Sequence, residues 1–372
     1  MAEHAPGTRV VHAGLPPAEP GKPFLDGPAF ASAFHLPGDP GASEFGYARY
    51  GHPTWAAYER ALAELERARS ATVFPSGMAA CAAVMLSTLV PGDVFVASGD
   101  GYPVVRTLAR EHLGPRGVET RYVPTAGDWA GVIDGARLVW LETPSNPGLD
   151  LCDVEAIAAA AHEAGALVAL DNTLATPLGQ LPLALGCDFA VASDTKAMTG
   201  HADLLMGHVA TRDERLGEQM RNWRSHAGAV PAPFEVWLAH RSLATLDVRL
   251  ERQCANAQAI AEALAERDDV ADVRYPGLAS HPQHELARRQ MRHFGMVVSF
   301  TLDSPQRAQR FIEASTLVTE ATSFGGVHTT AERRARWGHG DNVPEGFIRL
   351  SAGIEVGDDL VADIQMSLDR TR

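Results

Sequence analysis

The chain has 372 residues, 45% of them apolar and 21% charged, the balance of a folded globular protein rather than a disordered or fibrous one. That length leads us to expect two or three domains and a sizeable core. With 32 basic and 46 acidic residues the formal charge is −14, which disfavours a general affinity for nucleic acid and says little about small substrates.

The four cysteines, Cys81, Cys152, Cys187 and Cys254, are far apart and form no Cys-x-x-Cys pair. Neither a metal site nor a disulfide framework is indicated, and a reducing, cytoplasmic setting is expected. Residues 1–14 lack the apolar core of a secretory signal, and no window approaches a membrane-spanning run.

Residues 1 to about 45 are rich in Pro and Gly, with Pro16-Pro17, Pro20-Gly21, Pro37-Gly38 and Pro40-Gly41 close together. Such a segment reads as an extended arm, either wrapped over a neighbouring subunit or loose in solvent. A helix is predicted from Thr54 as N-cap, with Leu62, Leu65 and Ala68 on one face. Thr72–Phe74 reads as a short strand running into Ser76-Gly77-Met78-Ala79-Ala80, where a helix opens and continues through Leu89. A strand, a turn with Gly and a helix start present free backbone N–H groups to a phosphate, although many helix starts look like this without any ligand.

Further strands are predicted at Val94–Ala97 and Leu138–Leu141, the second ending in Glu142-Thr143-Pro144-Ser145-Asn146-Pro147, a loop that two prolines hold away from helical geometry. Asp153 caps a helix through Ala161, which Gly165 is placed to end. The apolar run Ala166–Leu170 stops at Asp171, and Phe189–Ala192 runs into Ser193-Asp194-Thr195-Lys196. This alternation of strands and helices through residue 210 describes a doubly wound α/β domain with the three later strands side by side. The pattern changes after Arg221. A long amphipathic helix is expected from Phe234 to Leu264, then strands at Val270–Tyr275, Met296–Leu302 and Phe347–Leu350 with a helix at Ser304–Ala314. The expected division is an arm at 1–45, a large domain at 46–225 and a smaller α+β domain at 226–372, with a hinge between 222 and 234.

Open parallel sheets bind ligands at the carboxyl ends of their strands, where both Lys196 and Asp171 would stand. A lysine that forms a Schiff base, with an aspartate to pair the ring nitrogen of a pyridoxal cofactor, is a sensible use of that arrangement. Alone, Lys196 would read as an exposed strand-end lysine and Asp171 as a capping residue; their spacing of one strand-to-strand step favours the functional reading. No Gly-x-x-x-x-Gly-Lys loop, His-Glu-x-x-His motif or Gly-x-Gly-x-x-Gly after the first strand is present, so nucleotide-phosphate, zinc-hydrolase and dinucleotide readings lose their support.

Six motifs occur in order: Tyr47-Ala48-Arg49 before His52-Pro53-Thr54, Ser76 to Ala80, Glu142 to Pro147, Asp171-Asn172-Thr173, Ser193 to Lys196 with Gly200 to Asp203, and Ile348-Arg349-Leu350-Ser351-Ala352-Gly353-Ile354-Glu355. Together they resemble the Cys/Met-metabolism family of pyridoxal-phosphate enzymes over essentially the whole chain, with the cystathionine γ-lyases as the nearest members. The resemblance implies an aspartate-aminotransferase-like (fold type I) large domain around a mostly parallel seven-stranded sheet, with a smaller α+β domain. It implies Lys196 as the residue that holds pyridoxal 5′-phosphate and moves protons, and Asp171, supported by Thr173, as the partner of the ring nitrogen. The phosphate would be met by backbone at Gly77 and Met78, by the hydroxyls of Ser193 and Thr195, and by Tyr47 and Arg49 from an adjacent subunit, which would make a dimer obligatory and a homotetramer the usual assembly. For Ser193 and Thr195 a bond to nearby backbone is the competing use.

By the same resemblance Arg349 would grip the substrate carboxylate, assisted by Ser323 and Asn146, and Tyr102 would stack on the ring and act as acid or base. Two departures stand out. The family writes Tyr-Gly-Gly-Thr where this chain has Gly101-Tyr102-Pro103, so Tyr102 is the same residue in a shifted register or a replacement. Thr322 stands where the lyases commonly have glutamate. The expected activity is γ-elimination, with cystathionine giving cysteine, 2-oxobutanoate and ammonia. γ-Replacement on an activated homoserine, or elimination from an unusual γ-substituted amino acid, are the alternatives, and a non-catalytic regulator is disfavoured by the intact lysine, aspartate and arginine.

Overall fold

The computed structural model describes residues 4–338 and 342–372; the first three residues of the expected arm lie outside the described residues. Seven strands form the larger sheet: β1 (Ser70–Phe74), β2 (Val94–Ser98), β3 (Glu119–Val123), β4 (Leu138–Glu142), β5 (Leu167–Asp171), β6 (Phe189–Ala192) and β7 (Gly207–Thr211). They lie in the order β1-β7-β6-β5-β4-β2-β3. From β3 to β6 every pairing is parallel, while β7 is antiparallel to both of its neighbours. The expected mostly parallel sheet is thus present, and β4, β5 and β6 are neighbours as the sequence implies.

The continuous apolar runs of these strands follow from burial on both faces. Along β4, Leu138 and Trp140 enter the core beneath the helix Gly77–Thr88, whereas Val139 and Leu141 enter the opposite core with Val154, Ile157 and Ala161 of the helix Val154–Glu163. The period of two divides one strand between two cores, so neither face of β4 tolerates a polar side chain from Leu138 to Leu141. Each large apolar side chain fully buried in this way contributes roughly 1.5–3 kcal/mol.

A second sheet holds β8 (Ala271–Arg274), β9 (Val297–Thr301), β10 (Thr319–Glu320), β11 (Thr330–Arg333) and β12 (Phe347–Ser351) in the order β10-β11-β12-β9-β8. It is antiparallel except for the pairing of β10 with β11. Its core is covered by the helices Leu246–Ala265, Pro305–Ala314 and Gly357–Arg370.

Local structure departs from the sequence reading at several points. The first long helix is Pro53–Leu65 and its N-cap is His52, whose Nδ1 accepts from the Thr54 amide at 3.3 Å, because Pro53 takes the first helical position. Thr54 instead ties down the arm, its Oγ1 accepting from the Ala29 amide at 3.1 Å. The single helix expected over 234–264 is two helices, Pro233–Leu243 and Leu246–Ala265. At the break Arg249 donates from Nη2 to the Ser242 carbonyl at 3.0 Å and from Nη1 to the Ala197 carbonyl at 2.6 Å. Residues 222–227, inside the expected hinge, are the last turns of the helix Glu214–Ala227, which Gly228 ends in the left-handed conformation. The arm carries the short helix Pro6–His12 and a single 3-10 turn at Pro40–Ala42, and part of it packs on its own chain through buried Val10 and Ala13. Phe24 and Phe30 of the arm are exposed.

Candidate functional site

The carboxyl ends of β4, β5 and β6 open into a cavity of about 430 Å³ that Arg334 just after β11, Arg349 of β12 and the 322–324 turn close from the other side. Eleven of the predicted residues line it: Gly77, Met78, Tyr102, Asn146, Asp171, Thr173, Ser193, Thr195, Lys196, Ser323 and Arg349. Tyr47 and Arg49 do not. Arg49 donates to the Ser225 carbonyl at 2.8 Å and lies 4.5 Å from the centre of the Tyr50 ring, and Tyr47 is exposed.

Lys196 sits in the turn after β6, and its Nζ lies 2.6 Å from Ser323 Oγ and 5.0 Å from the centre of the Phe324 ring. Burial brings its pKa down to about 8, helped by the Arg349 charge and opposed by Glu332 and Asp171. Ser323 reaches the amine from backbone at φ +78°, a left-handed geometry that costs a non-glycine residue energy and is concentrated at functional sites. At the end of β5, Asp171 Oδ1 accepts from the Thr173 amide at 3.0 Å and from its hydroxyl at 2.5 Å. Burial raises this carboxyl above its ordinary value even though those two bonds and Lys196 lower it. An opposite charge brought against it would restore the carboxylate.

Sequence reasoning assigned no role to Glu142, which register places directly beside Asp171 across β4 and β5. Its Oε2 accepts from the Tyr102 amide at 2.6 Å and its Oε1 from the Asn146 amide at 2.8 Å, so one carboxyl positions both loops. Burial, then the Asp171 charge, push its pKa up to about 8. Gly101 permits the approach, since a Cβ there would come within 2.6 Å of Glu142 Oε2. Tyr102 precedes the helix Pro103–Leu108 and lines the cavity.

Beneath the cavity, Ser76 caps the helix Gly77–Thr88, its Oγ accepting from the Ala79 amide at 3.1 Å. Gly77 packs so closely that a Cβ would lie 2.5 Å from Ser193 Cβ. This close-packed helix start, with first-turn N–H groups beside the Ser193 and Thr195 hydroxyls, suits a phosphate. Thr195 Oγ1 also accepts from the Met206 amide at 3.0 Å, which is the competing structural use. A phosphate cradle, a buried amine of lowered pKa and a carboxyl awaiting a cation together form the donor set that pyridoxal 5′-phosphate requires.

The opposite wall is built by a cross-strand pair. Arg349 on β12 stands opposite Glu332 on β11, and the two form a buried ion pair. Arg349 Nη1 also donates to Asn146 Oδ1 at 2.7 Å and Nη2 to the Ser323 carbonyl at 2.9 Å. Burial alone would raise the Glu332 carboxyl, but Arg349, the Trp337 N–H and Arg334 hold it below the ordinary carboxylate value. Glu332, Arg334 and Phe324 escaped the sequence reading; the one available signal was the charged run Glu332-Arg333-Arg334 shortly after the 323 turn.

A model of the family described as Cys/Met metabolism PLP-dependent enzyme matches residues 28–369. A Streptomyces coelicolor protein provisionally named a cystathionine gamma-lyase is 55% identical over 370 residues, 98% of this chain and 94% of that one. The cystathionine gamma-synthase of Mycobacterium tuberculosis is 39% identical over 377 residues, 98% of this chain and 96% of that one. A crystal structure of cystathionine gamma synthase from Xanthomonas oryzae pv. oryzae superimposes with a TM-score of 0.96 at 33% identity, covering 100% of this chain and 99% of that one. The large domain therefore has the aspartate-aminotransferase-like architecture of fold type I. With these likenesses spanning the chain and the cavity furnished for the cofactor, the protein belongs to the Cys/Met-metabolism family of enzymes that depend on pyridoxal phosphate.

Proposed function

We propose that the enzyme eliminates the γ-substituent of an L-amino acid, with cystathionine as substrate: cystathionine and water give cysteine, 2-oxobutanoate and ammonia. The observation that carries this reading is the convergence of the Lys196 amine, the Asp171 carboxyl and the Arg349 fork on one cavity. In this reading Lys196 attaches the cofactor and Asp171 pairs its ring nitrogen, with Thr173 fixing the carboxyl. The N–H groups of Gly77 and Met78 and the hydroxyls of Ser193 and Thr195 hold the phosphate. The bound cofactor supplies an electron sink for the charge that develops at the substrate's Cα.

The protein's own groups supply the rest. Arg349 receives the α-carboxylate, oriented by Asn146 and by its bond to the Ser323 carbonyl. Lys196, once freed, would take the proton from Cα, give it up to C4′ of the bound cofactor and so be ready to take one from Cβ; a pKa near 8 would let it accept and release protons close to neutral pH. Ser323 Oγ steadies the amine between these transfers. Tyr102 covers the ring, and its phenol, raised mainly by burial, remains an acid for the leaving group.

Tyr47 and Arg49 belong to the same proposal as phosphate ligands donated by a second copy, in a homotetramer built from such dimers. Their absence from their own chain's cavity agrees with that role. The division into residues 1–45, 46–225 and 226–372 and a cytoplasmic setting also remain proposals; no helix among the described residues is long and apolar enough to cross a membrane. A second reading, γ-replacement joining cysteine to an activated homoserine, is favoured by the γ-synthase relatives. Incubation with cystathionine should release 2-oxobutanoate and free thiol in equal amounts. If neither appears, cystathionine is not the substrate, and cystathionine formation from an activated homoserine and cysteine would select the second reading.

A further inference from the structure

The helix Leu246–Ala265 faces the core with Leu246, Leu250, Ala257 and Ile260, yet Arg249, Gln253 and Asn256 are buried on the same face, at 4% exposure or less. Their spacing of four and then three residues stacks them along two turns, about 10 Å of helix. A buried polar side chain costs stability unless it is bonded, and apolar side chains of similar size would pack there without that cost. Each of the three bonds the backbone of a different loop. Arg249 donates to the carbonyls of Ala197 at 2.6 Å and Met198 at 3.2 Å, the residues that follow Lys196. Gln253 Nε2 donates to the Gly326 carbonyl at 2.7 Å, at the end of the turn that holds Ser323 and Phe324. Asn256 Nδ2 donates to the Gly353 carbonyl at 3.0 Å and the Glu355 carbonyl at 2.9 Å, just beyond the strand that carries Arg349.

The loops are tied to one another in the same order. The Val327 amide donates to the Gly200 carbonyl and the Ile354 amide to the Val327 carbonyl, each at 2.9 Å. Gly200 and Gly325 permit this stacking: both have positive φ, and a Cβ would collide with Arg249 Nη1 at the first and with the Ala197 amide nitrogen at the second. One face of one helix therefore holds the turn after Lys196, the turn that presents Ser323 and the exit of β12 at fixed heights. Lys196 belongs to the wall of the large sheet, and Ser323 and Arg349 to the facing wall. The walls meet where Ser323 Oγ lies 2.6 Å from the Lys196 amine while the Ser323 carbonyl accepts from Arg349.

We propose that Arg249, Gln253 and Asn256 are positioning residues that set the distance between the Lys196 amine and the Arg349 guanidinium, so that a substrate held by its α-carboxylate presents Cα to the amine. This role rests on the reading above, in which Lys196 moves the Cα proton and Arg349 receives the carboxylate. Arg249 acts on the amine end, Asn256 on the carboxylate end and Gln253 on the turn between them.

The test measures kcat and KM with cystathionine, Tm, and the pH midpoint of the visible absorbance of the lysine-bound cofactor in the wild type, R249M, R249K, Q253M and N256L. R249M should lower kcat about 30-fold or more with KM within about threefold, and R249K should recover part of kcat. N256L should raise KM about tenfold, with kcat within about threefold and the absorbance midpoint unmoved. Q253M removes one bond and no charge, and Gln253 Oε1 has no partner among the described residues. It should lower kcat about three- to tenfold and move the absorbance midpoint by about half a pH unit, because Ser323 loses its hold on the amine. A fall in Tm alone, with kcat, KM and absorbance midpoint unchanged in Q253M and N256L, makes the stripe merely structural and overturns the proposal. So does a reversed split, in which R249M moves KM and N256L moves kcat. Q253M and N256L carry the test by themselves, so a poorly folded R249M would not shield it. If the wild type turns over neither cystathionine nor an activated homoserine with cysteine, the reaction assignment fails instead, and an unmoved absorbance midpoint in Q253M still overturns the positioning role.

Discussion

The two walls of the cavity are made differently. One is the carboxyl edge of a parallel sheet, where β4, β5 and β6 are buried on both faces and present Glu142, Asp171 and Lys196 at their ends. The other belongs to the interior of the smaller, mostly antiparallel sheet, where Glu332 on β11, Arg334 just after it and Arg349 on the central strand β12 hold one another by charge. A strand packed between two apolar cores cannot shift without disturbing both, so the first wall suits chemistry that must keep its geometry. The second is fixed by ion pairs between long side chains, and a single substitution can change its charge. The comparison assigns bond-making to the large sheet and substrate choice to the small one.

Substitutions on each wall should separate these roles. Lys196→Ala should give the largest effect: activity falls about a thousandfold or more, because no other amine stands ready to move the Cα proton. The chain should still fold and assemble, as judged by circular dichroism and gel filtration, since Lys196 makes its side-chain contacts at the cavity. Substantial residual turnover would move the chemistry off the large-sheet wall. Arg349→Lys should be milder, lowering kcat/KM about 10- to 100-fold, mainly through KM, because a point charge replaces a bidentate fork. A loss confined to kcat would instead tie Arg349 to the chemical step.

The smallest effect concerns the support beneath the large-sheet wall. His208 is buried, with Nδ1 2.6 Å from Asp194 Oδ1 and Nε2 3.3 Å from Glu66 Oε1, and Tyr58 donates to Asp194 Oδ2 at 3.0 Å. Burial lowers the imidazole pKa, but the two carboxylates outweigh it and raise it to about 10. A folded pKa above the unfolded value of about 6.5 means that the stabilisation is complete below pH 6.5 and is lost as pH rises toward 10. Thermal unfolding followed from pH 7 to pH 10 should show a steeper fall in Tm for the wild type than for His208→Gln. Parallel curves would show that the imidazolium is not what holds Asp194, two residues from Lys196.

The same contrast explains what could be read from the sequence. Apolar runs such as Phe189–Ala192 that end abruptly in polar residues announce buried parallel strands and locate Lys196 and Asp171 at their ends. Arg349 stood out because it interrupts such a run. The facing strands did not announce themselves: Thr319–Glu320 and Thr330–Arg333 are short and polar, and only pairing, of the second with β12 and of the first with the second, makes them strands. Glu332 and Arg334 were invisible with them, since their meaning comes from the register opposite Arg349. The break after Leu243 was hidden for a related reason. Leu243, Leu246 and Leu250 keep helical spacing across it, with no Gly or Pro between them, and the contacts of Arg249 are tertiary. The cap at His52 was missed because a neutral imidazole can accept where Ser, Thr or Asp usually does.

The claim underlying both walls is that Lys196 is the amine that carries the cofactor. Borohydride reduction of the enzyme loaded with pyridoxal 5′-phosphate, followed by proteolysis and mass spectrometry, tests it directly. The account predicts a phosphopyridoxyl adduct on the peptide containing Lys196 and none on the chain's other lysine, Lys22. An adduct on Lys22, or none on either residue, would contradict it.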